Sequence, residues 1–109
     1  GGGTGWEAWT GKGRTAADDY AAIFYEEAAQ AFPEWKIRMD TADGDADKEA
    51  DFYILKRTAC PAVLTENFFM DTERDCRFIL SAEGRVRVAG MHVAAILRCI
   101  DFHAQKAGR

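Results

Sequence analysis

The sequence predicts an α/β domain, a mixed sheet flanked by helices, and three observations carry that prediction. Apolar residues recur at three- and four-residue spacing in the stretches 15–32, 72–80 and 81–103, which is helical periodicity. Short segments with strand character lie between and before them, at 6–10, 35–39, 52–55 and 62–69, giving the interleaved order of an α/β domain. The 109 residues, 48% hydrophobic and 29% charged, suit one small domain with a single core. The longest apolar run is YAAIFY at 20–25, far below the roughly 20 residues that span a bilayer, so a membrane span is excluded.

The elements follow in order. GGGTG has no sizeable side chains to pack, and WEAWT at 6–10 alternates as a short strand. Thr15 opens a helix with Asp18 three residues later, a capping-box spacing that satisfies free backbone N–H groups. Ala17, Tyr20, Ala21, Phe24, Ala28, Ala31 and Phe32 form its apolar face, with Asp18, Asp19, Glu26, Glu27 and Gln30 opposite, and Pro33 stops it. Residues 35–39 alternate enough for a strand, and 52–55 give another short one. Between them, DTADGDADKEAD at 40–51 holds six acids and one lysine and reads as an acidic surface loop. AVLTENFF at 62–69 has the aromatic and β-branched content of a buried central strand. Thr72 with Asp75 repeats the capping-box spacing and starts a short helix to Leu80. Ser81 caps a longer one, in which Val86, Gly90, Val93, Ile96 or Leu97 and Ile100 form a core stripe as far as about His103.

Charge and chemistry narrow the function. Fourteen basic against eighteen acidic residues give a net charge of −4, which argues against a nucleic-acid partner because phosphate binding needs a basic surface. The acidic loop accounts for the imbalance. Asp43, Asp45 and Asp47 repeat the first spacings of a calcium loop, but Lys48 replaces its glycine and Ile54 its bidentate glutamate, so the pattern is not met. Cys60, Cys76 and Cys99 lack zinc-knuckle spacing and read as small buried hydrophobes. His92 and His103 lie eleven residues apart on one helix, about 16 Å along its axis, too far to share a zinc ion. The two indoles of WEAW suit packing under a helix better than stacking on sugar rings.

Glu66 stands out. A carboxylate within an apolar strand is neutral, paired or used, because an unpaired charge in a dry site costs several kcal/mol. Arg38, Lys56 and Arg57 are the candidate ion-pair partners. Its place near the carboxyl end of a strand, where ligands of open α/β sheets gather, makes it also a candidate acid or base facing a cleft.

The stretch CPAVLTENFFMDTERDCRFIL at 60–80 resembles the C-terminal signature of the zinc-dependent N-acetylmuramoyl-L-alanine amidases of the amidase-3 type. There a Pro-Ala-Val-Leu-x-Glu strand is followed by an aromatic turn and a helix with Asp and Leu at the spacing of Asp75 and Leu80. The likeness extends outward in order: 5–9 resembles the family's Gly-Val-Glu-Val-Tyr strand, 15–32 the helix after it, FYILKRT its Val-Leu segment, and 82–104 its last helix. Phe68 stands where the family usually has Gly, and Thr72 where it usually has Asn.

The resemblance implies the zinc amidase (phosphorylase/hydrolase-like) fold, of which residues 1–109 are the C-terminal part only. It implies peptidoglycan as substrate, with cleavage of the amide between N-acetylmuramic acid and the L-alanine of the stem peptide, and Glu66 as the catalytic acid/base. The implied zinc is held by two histidines and a glutamate from an earlier part of the domain, with no metal ligand in this chain. Cell-wall amidases and phage endolysins share this pattern, so the implied location is the bacterial cell envelope or the exterior. The competing reading is a non-catalytic peptidoglycan-binding module of the same fold, and a plain structural domain with a paired Glu66 is a third. Taken alone, the chain is expected to hold no zinc, to be inactive, and to cover an open sheet face or edge by self-association.

Overall fold

The computed structural model describes residues 3–11, 15–39, 48–49 and 53–108. The elements run β1 (Trp6–Thr10), α1 (Ala16–Ala31), β2 (Lys48–Glu49), α2 (Tyr53–Arg57), β3 (Leu64–Asn67), α3 (Glu73–Leu80) and α4 (Ala82–Ala107). The sheet is mixed, in the order β2-β1-β3, with β1 parallel to β2 and antiparallel to β3. An α/β architecture with helices on the sheet is therefore what the chain forms.

The residues of β1 alternate between two environments. Trp6 and Ala8 are fully buried toward α1, where the Trp6 ring meets Tyr25 edge-on at 5.0 Å. The Tyr25 hydroxyl accepts from the Ala8 N–H at 3.0 Å and donates to the Arg38 carbonyl at 2.8 Å, so one phenol ties α1 to β1 and to the segment that follows the helix. α1 starts as its sequence requires: the Thr15 N–H donates to Asp18 Oδ2 at 3.1 Å. Asp18, expected on the solvated face, is instead buried, because its other oxygen accepts from Thr10 Oγ1 at 3.2 Å. Beyond α1, Phe32, Trp35, Phe68 and Phe78 close the core with ring contacts at 4.8 to 6.1 Å, edge-on except for the tilted Trp35–Phe78 pair.

Several expectations change. The 35–39 segment makes only a bridge at Ile37 to Trp6, because the Trp6 N–H donates to Lys36 O and the Arg38 N–H to Trp6 O without a further rung. The segment read as a strand at 52–55 contributes to α2, a single turn with no buried residue. Most of the acidic loop, with its calcium question, lies outside the described residues, but Lys48–Glu49 within it form β2 against Trp9 and Thr10. AVLTENFF yields four strand residues, all half-buried, and β3 is an outer strand of the described sheet instead of a central one. Cys60 is exposed, Cys76 and Cys99 are half-buried and all three thiols are free, so the reading of three buried hydrophobes fails for Cys60 and holds only in part for the other two.

The largest correction concerns α4. Its N-terminus is capped as expected, with Ser81 Oγ accepting from the Gly84 N–H at 2.9 Å. The stripe assigned to the core is not there: Val86, Val93, Leu97 and Ile100 are 57–70% exposed. Gly84, Met91 and Ala95 are buried instead, with Val88, Cys99 and Phe102 packed beside them. Both sets have helical spacing, so periodicity alone cannot say which one meets the sheet.

Candidate active site

Glu66 is the third residue of β3 and pairs across the strands with Glu7 of β1. Side chains alternate along a strand, so Ala8 and its partner Thr65 share the helix side, where Thr65 Oγ1 lies 3.0 Å from His92 Nε2. Glu7 and Glu66 therefore project together from the opposite face, away from α1 and α4. Glu7 is 3% exposed, with Arg38 Nε 3.7 Å from its Oε1. The Arg38 guanidinium in turn lies 5.3 Å over the ring of Phe69. Arg38, one of the partners the sequence offers for Glu66, lies against the neighbouring Glu7, and Glu66 itself is half-buried. This face carries two adjacent carboxyl groups, a guanidinium and an aromatic ring, a set able to bind polar substrate groups and to move a proton.

The turn that follows fixes where Glu66 points. Asn67 Oδ1 accepts from Trp6 Nε1 at 2.8 Å, which locks the end of β3 to the start of β1. Phe68 then adopts φ 72°, the left-handed region that favours glycine, at the position where the resemblance drawn from the sequence leads one to expect a glycine. Its ring, 7% exposed among Phe32, Trp35 and Phe78, supplies the packing that offsets a backbone cost of order 1 kcal/mol. Gly5 has φ 101°, and a side chain there would strike the Lys36 carbonyl.

Asp75 was expected in a capping box with Thr72, and the structure gives it another task. Its fully buried carboxylate accepts from Thr4 Oγ1 at 2.6 Å, the Gly5 N–H at 2.8 Å and the Phe69 N–H at 3.2 Å. It thereby joins the approach to β1 with the turn after Glu66 from the first turn of α3. Thr72 is the N-cap residue of α3, but its Oγ1 donates to the Gly3 carbonyl and makes no cap bond. Sequence reasoning missed Glu7 and this role of Asp75. The alternation of WEAW could have placed Glu7 opposite to Trp6 and Ala8, but no local pattern gives its register against Glu66.

The histidines are occupied. His92 Nδ1 lies 2.8 Å from the Val88 carbonyl, and His103 Nδ1 lies 3.2 Å from the Tyr20 hydroxyl. Among the described residues no group of three or more His, Cys, Asp and Glu side chains can hold a metal ion, so these residues do not by themselves fit a zinc site. An open pocket of about 290 Å³, lined by Gly11, Thr15, Leu55, Thr58, Cys60 and Pro61 among others, lies at the end of β3 away from Glu66.

Comparison with known proteins agrees with this architecture. The sequence model of the N-acetylmuramoyl-L-alanine amidase family matches residues 1–98. The N-acetylmuramoyl-L-alanine amidase CwlM of Bacillus licheniformis is 32% identical over 108 residues, 98% of this chain and 40% of that protein. The sporulation-specific N-acetylmuramoyl-L-alanine amidase of Bacillus subtilis (strain 168) is 38% identical over 76 residues, 69% of this chain and 27% of that protein. The catalytic domain of CwlV, an N-acetylmuramoyl-L-alanine amidase from Bacillus (Paenibacillus) polymyxa, superposes with a TM-score of 0.76 at 20% identity, covering 92% of this chain and 50% of that one. The present chain spans less than half the length of the curated relatives it matches. With a family match over nearly its whole length and the fold of solved amidase domains, the chain belongs to the amidase-3 family of N-acetylmuramoyl-L-alanine amidases.

Proposed function

We propose that this chain is the C-terminal part of a peptidoglycan amidase domain and that Glu66 is its acid/base. The observation that carries the reading is the placement of Glu66 at the end of β3, half-buried and beside Glu7, on the sheet face that α1 and α4 leave uncovered. The substrate in this reading is peptidoglycan at the bacterial cell envelope, and the bond cleaved joins the lactyl carbonyl of N-acetylmuramic acid to the nitrogen of L-alanine. Water adds to the carbonyl carbon, the C–N bond breaks, and Glu66 takes the water's proton and passes it to the departing amine. Glu7 and Arg38 hold the floor beneath it, while Asp75 and Asn67 keep the turn from carrying Glu66 out of reach. The zinc of the family resemblance is assigned to residues outside this chain, and no step here runs through it. By itself the 109-residue chain is inactive in this reading, and it self-associates through its open sheet face or edge.

The test is Glu66→Gln in the protein encoded with its upstream segment, assayed on purified peptidoglycan by mass spectrometry of released stem peptides. Turnover should fall by roughly two to four orders of magnitude, the usual worth of a general acid or base, with melting temperature and metal content retained. Unchanged release of peptides beginning with L-alanine would assign the proton transfer to another group.

A further inference from the structure

The sheet face opposite α1 carries a row of charged side chains that runs across the strands. Glu66 of β3 stands opposite Glu7 of β1. On the other side of β1, Trp6 bridges Ile37: the Trp6 N–H donates to the Lys36 carbonyl, and the Arg38 N–H donates to the Trp6 carbonyl at 2.8 Å. In this parallel register Ile37 shares the core side of Trp6, so Arg38 shares the side of Glu7. The row therefore reads Glu66, Glu7, Arg38, and Arg38 Nε already lies 3.7 Å from the Glu7 carboxylate. Strands lie about 4.8 Å apart, which puts the main chains at its two ends about 10 Å from each other.

The middle of the row is closed and its ends reach solvent. Glu7 is 3% exposed, whereas Glu66 is half-buried and the Arg38 side chain is 29% exposed. Arg38 is also held from several directions. Its N–H bonds the Trp6 carbonyl and its carbonyl accepts from the Tyr25 hydroxyl, which fixes its main chain. Its guanidinium lies over the ring of Phe69, whose own N–H donates to the buried Asp75 carboxylate. Against Glu7 it makes an ion pair and not a hydrogen bond, since 3.7 Å is too long for one and, among the described residues, Nε has no hydrogen-bond partner. Glu7 thus balances the charge of Arg38 without consuming its fork of donors. A fixed guanidinium with its Nη groups at the tip is a directional receptor for a planar anion such as a carboxylate.

We infer that Arg38 binds a carboxylate of the stem peptide and so selects substrates in which that group is free over those in which it is amidated. The inference rests on the reading given under Proposed function, because Glu66 at the scissile amide fixes where the peptide starts. An extended peptide advances about 3.5 Å per residue, so the about 10 Å between the ends of the row, less the reach of the two side chains, brings the fork to the second residue of the stem. In peptidoglycan that residue carries a carboxyl group beside the chain, free in some walls and amidated in others. Amidation puts N–H donors where the fork needs an acceptor oxygen, so a site built this way distinguishes the two forms.

Titration calorimetry tests this with the protein encoded with its upstream segment and carrying Glu66→Gln, so that peptide is bound without being consumed. The ligands are two muramoyl peptides that differ only in whether the carboxyl of the second residue is free or amidated. The acid should bind roughly tenfold more tightly, the worth of a charge-assisted hydrogen bond. Adding Arg38→Gln should bring the ratio of the two dissociation constants to about one, and Arg38→Lys, a point charge without the fork, should retain only part of it. With Glu66 intact the preference should appear in KM, because the contact exists before the reaction as well as during it. Equal binding of the two peptides with Arg38 intact would overturn the inference even if no Arg38 variant folds. So would a ratio that survives Arg38→Gln in a protein of unchanged circular dichroism, or a preference carried by kcat alone. Each of these leaves Glu66 as the acid/base, whereas turnover undiminished by Glu66→Gln would overturn that assignment and this one with it.

Discussion

β1 and β3 are hydrogen-bonded neighbours of nearly equal length, yet four of the five residues of β1 are buried and none of the four in β3 is. The helices above them repeat the contrast: α1 buries six of its 16 residues, and α4 buries three of 26. β1 lies between two strands and beneath a helix, so all of its positions but Trp9 are buried. β3 has β1 on one side and α4 leaning over it from above. Burial in this molecule falls off in one direction, from α1 and β1 toward β3 and the outer face of α4, and Glu66 lies on the gradient where solvent begins. The acid/base role proposed for Glu66 requires such a position, since a sealed carboxylate cannot reach a water and a fully exposed one gains nothing from the fold.

The contrast is broken most severely at Asp75. It is the buried acid that ties the well-covered side, through Thr4 and Gly5, to the half-covered side, through Phe69. Asp75→Ala strands three donors in a dry site and should cost about 3 to 5 kcal/mol, read as a loss of midpoint in urea unfolding. Asp75→Asn, which keeps one acceptor oxygen, should recover part of that. A cost below about 1 kcal/mol for Asp75→Ala would show that the two sides are joined elsewhere.

Two glycines six residues apart on α4 sharpen the comparison. At Gly84 an added Cβ would collide with the Phe78 carbonyl, because the helix leaves α3 in close contact there. Gly84→Ala should therefore destabilise by roughly 1 to 3 kcal/mol. At Gly90 an added Cβ meets open space, so Gly90→Ala should stabilise the 109-residue chain by about 0.5 to 1 kcal/mol through helix propensity alone. Thermal melts of both variants check the pair. A destabilising Gly90→Ala in the chain would mean that its outer face is already occupied.

What the sequence discloses follows the same gradient. Strand β1, the start and stop of α1, and the cap of α4 were legible because local chemistry decides them: alternation in WEAWT, Thr15 with Asp18, Pro33, and Ser81. Glu66 was legible as an anomaly, an acid among apolar residues, and the motif around it named a family. The inner face of α4 was not, since Val86 to Ile100 and Met91 to Phe102 are equally periodic and only the tertiary partner chooses between them. Nor was Glu7, whose meaning comes from register with a strand nearly sixty residues on. Asp75 misled for a related reason: its spacing from Thr72 fits a local cap, while its partners are Thr4 and Gly5 at the other end of the chain.

The smallest expected effect lies at the seam between α1 and α4, where Arg87 joins the two. Its guanidinium donates to the Ala31 carbonyl at 2.6 Å and to Glu34 Oε1 at 2.5 Å, and it lies near the rings of Phe32 and Phe78. The hydrogen bond from Arg87 is the main reason that the Glu34 carboxyl is held below its ordinary 4.5, with the charges of Arg87 and Arg74 adding to it. A carboxyl with a depressed pKa in the folded state adds stability above its unfolded pKa and loses it as pH falls through the folded value. The contribution of Glu34 should therefore be complete at neutral pH and decline only below about 4.5. Glu34 is exposed, so solvent screens the pair and the effect should be smaller than that of any substitution above. Melting temperatures of the wild-type chain and Glu34→Gln between pH 7 and pH 3 should differ slightly at the upper end and converge at the lower. A gap that widened as the pH fell would mean that Glu34 is held neutral in the fold, and that Arg87 holds α1 through the Ala31 carbonyl alone.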